Sequence, residues 1–305
     1  MLSGCFEPPQ EALRIASSPW PGYEPLYLAR DLGYLDNQNV NLFELPSSDI
    51  TMESFRNRST DLATLTLDET LELLHDGTKL RILLALDISH GGDAVLVSPE
   101  IKQLADLKGK RIAIVNIPLG IYMLNRLLDK AGLERNQVTV FPMSESKQEK
   151  FYLDGKADAV ITFEPVKTRL KDAGAHVIFD SSMIPNEIFD LLLVHEDVYL
   201  KRKTEICDIA RGWFKTLRYM DEHTDDAAAR ITRRLGVDID SYAGMMDGIR
   251  QPDQEDNFQL LSGNTPGIFK SAGRLQKIML TEKQLNHAVN ISDAIDGSFA
   301  SCYTK

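Results

Sequence analysis

Short apolar runs alternate with amphipathic stretches through the N-terminal part of the chain. Residues 13–16 (LRIA) read as a strand, ended by the turn SSPWPGY, in which two prolines bracket Trp20. From Glu24 onward Leu26, Leu28, Ala29, Leu32 and Leu35 fit one helix, loosened near its end by Gly33. A strand over 40–45, a helix around 50–56, a buried strand over 62–67, a helix over 68–75 stopped by Gly77 and a strand over 81–86 follow. Parallel strands need crossovers that helices supply, so this alternation predicts a mainly parallel sheet.

After ISHGGDAVLVS the same alternation restarts. A strand over 111–115 leads through the turn NIPLG to a helix over 121–131 that Gly132 ends. Strands over 138–141, 157–162 and 176–179 then alternate with helices over 146–153 and 166–173. The run LLLV at 191–194 reads as a strand returning to the first unit, and from Thr204 the pattern is mostly helical, with caps expected at Asp225 and Thr281. Two α/β lobes joined by two extended crossings form a hinge around a cleft. In such sheets the ligand sits beyond the carboxyl ends of the strands, where loops and helix N-termini meet. The expected lobes are 12–88 with 190–305, and 89–189, preceded by a tether over 1–11.

Composition narrows the function. With 305 residues the chain is long enough for two domains, and 43% apolar with 26% charged residues allows each a core. No apolar run approaches the roughly 18 to 20 residues that span a bilayer. A net charge of −11 with scattered basic residues argues against nucleic acid or an anionic membrane as partner, because both select a concentrated positive patch. The sequence has no G-x-G-x-x-G, P-loop or G-x-S-x-G motif, and its Cys and His residues lack zinc-ligand spacing. No cofactor or metal is implied. Cys207 and Cys302 fit either a disulfide of an oxidising compartment or two small buried thiols. Leu2-Ser3-Gly4-Cys5 resembles the lipobox of bacterial lipoproteins, which would make Cys5 the lipidated residue.

The predicted loop tips carry Ser17, Ser18, Trp20 and Tyr23, then Thr66 and Asp68, then Asp87 and Ser89. The second unit adds Asn116, Leu119, Gly120 and Tyr122, then Ser144 and Ser146, Phe163 and Glu164, and Asp180 with Ser181. Aromatic rings with a few polar groups suit a small-molecule cleft, since rings supply contact area and hydrogen bonds fix orientation. The competing reading packs Trp20 and Tyr23 onto the sheet and makes Asp68 a helix cap.

Five segments, WPGYEPLYLARDLGYL, DLATLTLDETLELL, ALDISHGGDAVLV, LADLKGKRIAIVNIPLGIYMLNRLLDKAGL and GKADAVITFEP, stand in the order seen in one family. Over about residues 12–200 the chain resembles periplasmic substrate-binding proteins of ABC transporters, of the sulfonate, nitrate, taurine and thiamine-precursor type. The resemblance implies an α/β, two-lobed type II periplasmic-binding fold that closes on a solute and presents it to an ABC-type permease. By position it implies a site of Trp20, Tyr23, Thr66, Asp68, Asp87, Ser89, Leu119, Gly120, Tyr122, Phe163 and Glu164. It also implies a periplasmic or cell-surface location, a monomer, and membrane contact only through a lipid on Cys5.

The residues then bear on the ligand. No Arg stands at a predicted loop tip, whereas Asp68, Asp87, Glu164 and Asp180 do, which favours an amine or a nitrogen heterocycle over a sulfonate- or nitrate-type anion. A ligand-sensing subunit for a membrane-bound receptor fits the same sequence. An enzyme of this fold that makes a pyrimidine from its own His would need clustered Cys beside it, and His90 has none.

Overall fold

The computed structural model describes residues 11–36, 38–263 and 265–304; Cys5 and the lipobox-like segment lie outside them. Among the described residues eleven strands form two sheets. They are β1 (Leu13–Ser17), β2 (Val40–Glu44), β3 (Leu62–Thr66), β4 (Leu80–Ser89), β5 (Ala94–Val97), β6 (Arg111–Val115), β7 (Thr139–Met143), β8 (Ala159–Thr162), β9 (His176–Asp180), β10 (Phe189–His195) and β11 (Ile249–Arg250). The first sheet has the order β11-β4-β10-β3-β1-β2 and the second β7-β6-β8-β5-β9. Every residue of β3, β5, β8 and β10 is buried, as expected for central strands covered by helices on both faces.

Most strands of each sheet run in one direction, as the alternation predicts, but β5, β10 and β11 are reversed, so antiparallel pairings outnumber parallel ones. β1 pairs in parallel with β2 and β3, and β6 with β7 and β8. β10 runs antiparallel between β3 and β4, β11 antiparallel to β4, and β5 antiparallel between β8 and β9. β4 continues to Ser89, beyond the expected end at 86, because Asp87, Ile88 and Ser89 still find partners on β10 or β11. The two crossings are tied together: the Ser89 and Ser181 hydroxyls lie 2.7 Å apart, and Gly91 N–H donates to Ser181 Oγ at 2.6 Å.

The C-terminal part is helical as expected, but two caps are not where the residue types suggested. The helix Thr224–Leu235 begins one residue before Asp225, so Asp225 lies in its first turn, where its charge favours the helix dipole. Thr281 ends the helix Ile268–Thr281 rather than starting one, and its hydroxyl donates to the Lys277 carbonyl at 2.9 Å. Cys207 and Cys302 form a disulfide, which ties the helix Lys203–Glu222 to the chain's end region. No helix among the described residues is long and apolar enough to cross a membrane.

Candidate functional site

A cavity lies where the carboxyl ends of both sheets face one another. Ser18, Pro19, Trp20 and Tyr23 come from the turn after β1, Ser48 from the start of the helix Ser48–Arg56, Thr66 from the end of β3, and Asp190 from β10. Across from them stand Ile117 and Leu119 at the start of the helix Pro118–Ala131 and Phe163 after β8, with Asp93 on the crossing. Trp20 meets Phe163 edge to face, ring centres 6.2 Å apart at 78°, so the two lobes touch across the cleft. The cavity between them measures about 30 Å³. The lobes are therefore closed over a narrow space.

Local geometry explains how Trp20 reaches this position. Its indole N–H donates to Asp87 Oδ2 at 2.9 Å, and its ring runs over the crossing at Gly92, where a Cβ would come within 2.7 Å of it. At Gly22 a Cβ would stand 2.0 Å from Asp87 Oδ2, so glycine lets the turn press onto that carboxylate. The Tyr23 hydroxyl donates to Asp190. Trp20 is thus packed and cavity-lining at once, which reconciles the two readings of the turn.

The electrostatics are one-sided. Burial pushes Asp68 up to about 8, helped by the neighbouring charge of Glu69. Burial likewise lifts Asp87 to about 7 and Asp93 to about 6. Asp190 is held well above the ordinary carboxylate range by burial first and then by Asp87, and the Tyr23 phenol is raised by burial and by Asp190. No Arg, Lys or His lines the cavity among the described residues. Lys167 lowers Asp93 somewhat, but its ammonium stands 3.1 Å from Glu164.

Of the residues expected at the site, Trp20, Tyr23, Thr66, Leu119 and Phe163 line the cavity. Asp87 and Ser89 sit behind it, under Trp20 and at the joined crossings, and Asp68 lies buried in the first turn of the helix Leu67–His75. That helix is capped by Thr66, whose N–H and hydroxyl both donate to Glu69 Oε2 at 2.9 Å, so Asp68 is not the cap. Four of the expected residues are placed elsewhere. Gly120 faces the Val115 carbonyl, which a Cβ would meet at 2.1 Å, so it serves helix-to-strand packing. Tyr122 points to the back of the hinge and donates to Glu187 at 2.5 Å. Glu164 holds Lys167 and accepts the Thr168 N–H at 3.1 Å, at the start of the helix Val166–Asp172. Asp180 accepts the Ser182 N–H at 2.9 Å and is a turn residue.

The acidity of the cleft therefore comes from partly different residues than the loop tips suggested. Asp93 and Asp190 carry it at the cavity wall, and neither stood out in the sequence, nor did Pro19, Ser48 or Ile117. The available signals were weak: Asp93 follows a Gly pair, and Asp190 is a lone carboxylate before the buried run LLLV.

Two α/β lobes joined by two crossings around an aromatic-lined cavity define a type II periplasmic-binding fold. The family described as NMT1/THI5 like matches residues 20–227, and the chain belongs to that family. No curated protein matches the sequence. Among solved structures, it is similar to the periplasmic aliphatic sulphonate binding protein SsuA of Escherichia coli, with TM-score 0.78 and 17% identity over 94% of this chain and 92% of that one. The alkanesulfonate-binding protein SsuA of Xanthomonas axonopodis pv. citri, bound to MOPS, has TM-score 0.76 and 16% identity over 95% and 99%. The desulfurization enzyme DSZB has TM-score 0.71 and 17% identity over 96% and 98%, so the fold serves an enzyme as well as binding proteins.

Proposed function

We propose that this chain is the solute-binding component of an ABC-type importer, and that its solute is a small amine or nitrogen heterocycle carrying positive charge. The observation that carries the ligand class is the wall itself: Trp20, Tyr23 and Phe163 offer ring faces and edges, Asp93 and Asp190 offer carboxyls, and no basic side chain lines the cavity among the described residues. Such a site attracts a cation by charge and by ring quadrupole, and repels an anion. Importer membership is supported by the fold and by the SsuA proteins that share it. Binding rather than catalysis is supported by the SsuA proteins that share the fold. The lobes 12–88 with 190–305 and 89–189 would close as bodies, with ligand contacts to both favouring the closed state. The disulfide suits a periplasmic or surface location, with Cys5 as the lipid anchor and a permease as the membrane partner.

A second reading, a sulfonate, is favoured by the names of the SsuA proteins. Thermal shift against a panel of amines, pyrimidines and sulfonates separates the two, because a bound ligand raises stability by mass action. Shifts confined to the cationic members support the proposal; shifts confined to the sulfonates overturn it.

A further inference from the structure

Two carboxyl groups meet at the base of the cavity. Asp87 on β4 and Asp190 on β10 are directly opposite across an antiparallel pair, and are 0% and 4% exposed. Asp87 Oδ2 accepts the Trp20 indole N–H at 2.9 Å, and Asp190 Oδ1 accepts the Tyr23 hydroxyl. Asp87 Oδ1 is buried without a donor among the described residues, and the residue paired with Asp87 across the two strands is Asp190, itself buried. Two ionised carboxylates side by side can only accept and repel, so a hydrogen bond between them requires a proton.

We propose that Asp87 and Asp190 share one proton, carried on Asp190 and donated to Asp87 Oδ1, and that a cationic group arriving in the cavity displaces it, so that ligand binding is coupled to proton release. The second half rests on the ligand class proposed above; the first half does not. The shared proton satisfies the one oxygen of Asp87 that is otherwise orphaned, at a depth where an unmatched charge is costly. Asp190 is the proton's site because Asp87 and Asp93 both press on it with like charge, and because it is the member of the pair that lines the cavity. The other groups around the pair do not supply the missing cation. Tyr23 is a neutral donor, Asp93 faces from the crossing, Asp68 and Glu69 stand at the start of the helix Leu67–His75, and Lys167 is held by Glu164. A ligand cation against Asp190 would be that charge, and would lower the acid's pKa until the proton leaves.

The test is infrared spectroscopy of the ligand-free full chain near neutral pH, compared with Asp190→Asn and then with the protein saturated by the best-binding amine of the panel or by N-methylpyridinium. The wild-type spectrum should hold a buried protonated-carboxyl component that Asp190→Asn removes; identical spectra overturn the proposal. If Asp190→Asn fails to fold by circular dichroism, Asp87→Asn makes the same comparison, since it removes the like charge that holds the proton on Asp190 and supplies an amide N–H that can donate to the ionised acid, so the same component is lost. On cation binding the component should vanish, and calorimetry in buffers of different ionisation enthalpy should show close to one proton released, with affinity rising about tenfold per pH unit. A cation that binds while the component stays overturns the coupling and leaves the ligand class intact. A panel in which no cation binds while the component is present overturns the ligand class and the coupling with it, and leaves the shared proton standing.

Discussion

Trp20 serves the cleft through both its edge and its face. Its N–H fixes Asp87 at 2.9 Å and its ring meets Phe163 of the opposite lobe. Trp20→Phe keeps an aromatic surface but removes the donor, so the buried Asp87 loses a charge-assisted hydrogen bond; urea denaturation should show a loss of about 2 kcal/mol. Phe163→Ala acts differently, because Phe163 is only partly buried: stability should change little while ligand affinity falls about tenfold, read by titration calorimetry. The buried acids make a further prediction about pH. Asp68, Asp87, Asp93 and Asp190 all titrate above the ordinary carboxylate range in the folded chain, so the folded state binds more protons than the unfolded one between about pH 4 and 8. The stability of the ligand-free protein should therefore fall as pH rises through that window, and a thermal scan that rises instead would show these groups ionised in the fold.

Between elements, one charged cluster joins the lobes behind the cleft and one covalent bond braces the C-terminal helices within their own lobe. Glu187, on the second crossing, accepts Tyr122 at 2.5 Å and Arg126 Nε at 2.8 Å from the helix Pro118–Ala131, and pairs with Arg274 of the helix Ile268–Thr281. Removing it leaves cations facing one another where the hinge segment meets both helices, so Glu187→Ala should open the ligand-free protein, seen as a larger radius of gyration in solution scattering. The Cys207–Cys302 bond closes a loop with a sequence separation of 95. Reduction should cost about 4.7 kcal/mol from the loop-closure entropy it returns to the unfolded chain, measured as a drop in unfolding midpoint with and without reductant.

At the level of the whole molecule, the periodic signals in the chain were enough for the architecture. Strands such as LATLT and RIAIV are buried on both faces and announce themselves as apolar runs, and the helix between them has its own period, so the element order was readable. The aromatic turn, Leu119 and Phe163 were readable too, because loops at the carboxyl ends of strands must face the cleft. Tyr122 and Glu164 were misplaced because being near a loop tip in sequence does not say which way a helical side chain points, and each found a charged partner away from the cleft. Asp93 and Asp190 were invisible for the opposite reason. Each is a single carboxylate beside an apolar run, and its meaning depends on neighbours from distant segments: Asp190 on Tyr23 and Asp87, Asp93 on Ser89 and Lys167. Local patterning settles fold class, lobe order and the aromatic mouth of the cleft, since these follow from periods of two and 3.6 residues. The charge of the cavity was settled in three dimensions, where long-range pairing across β4 and β10 buries two carboxyls side by side and leaves no basic residue lining the cavity among the described residues.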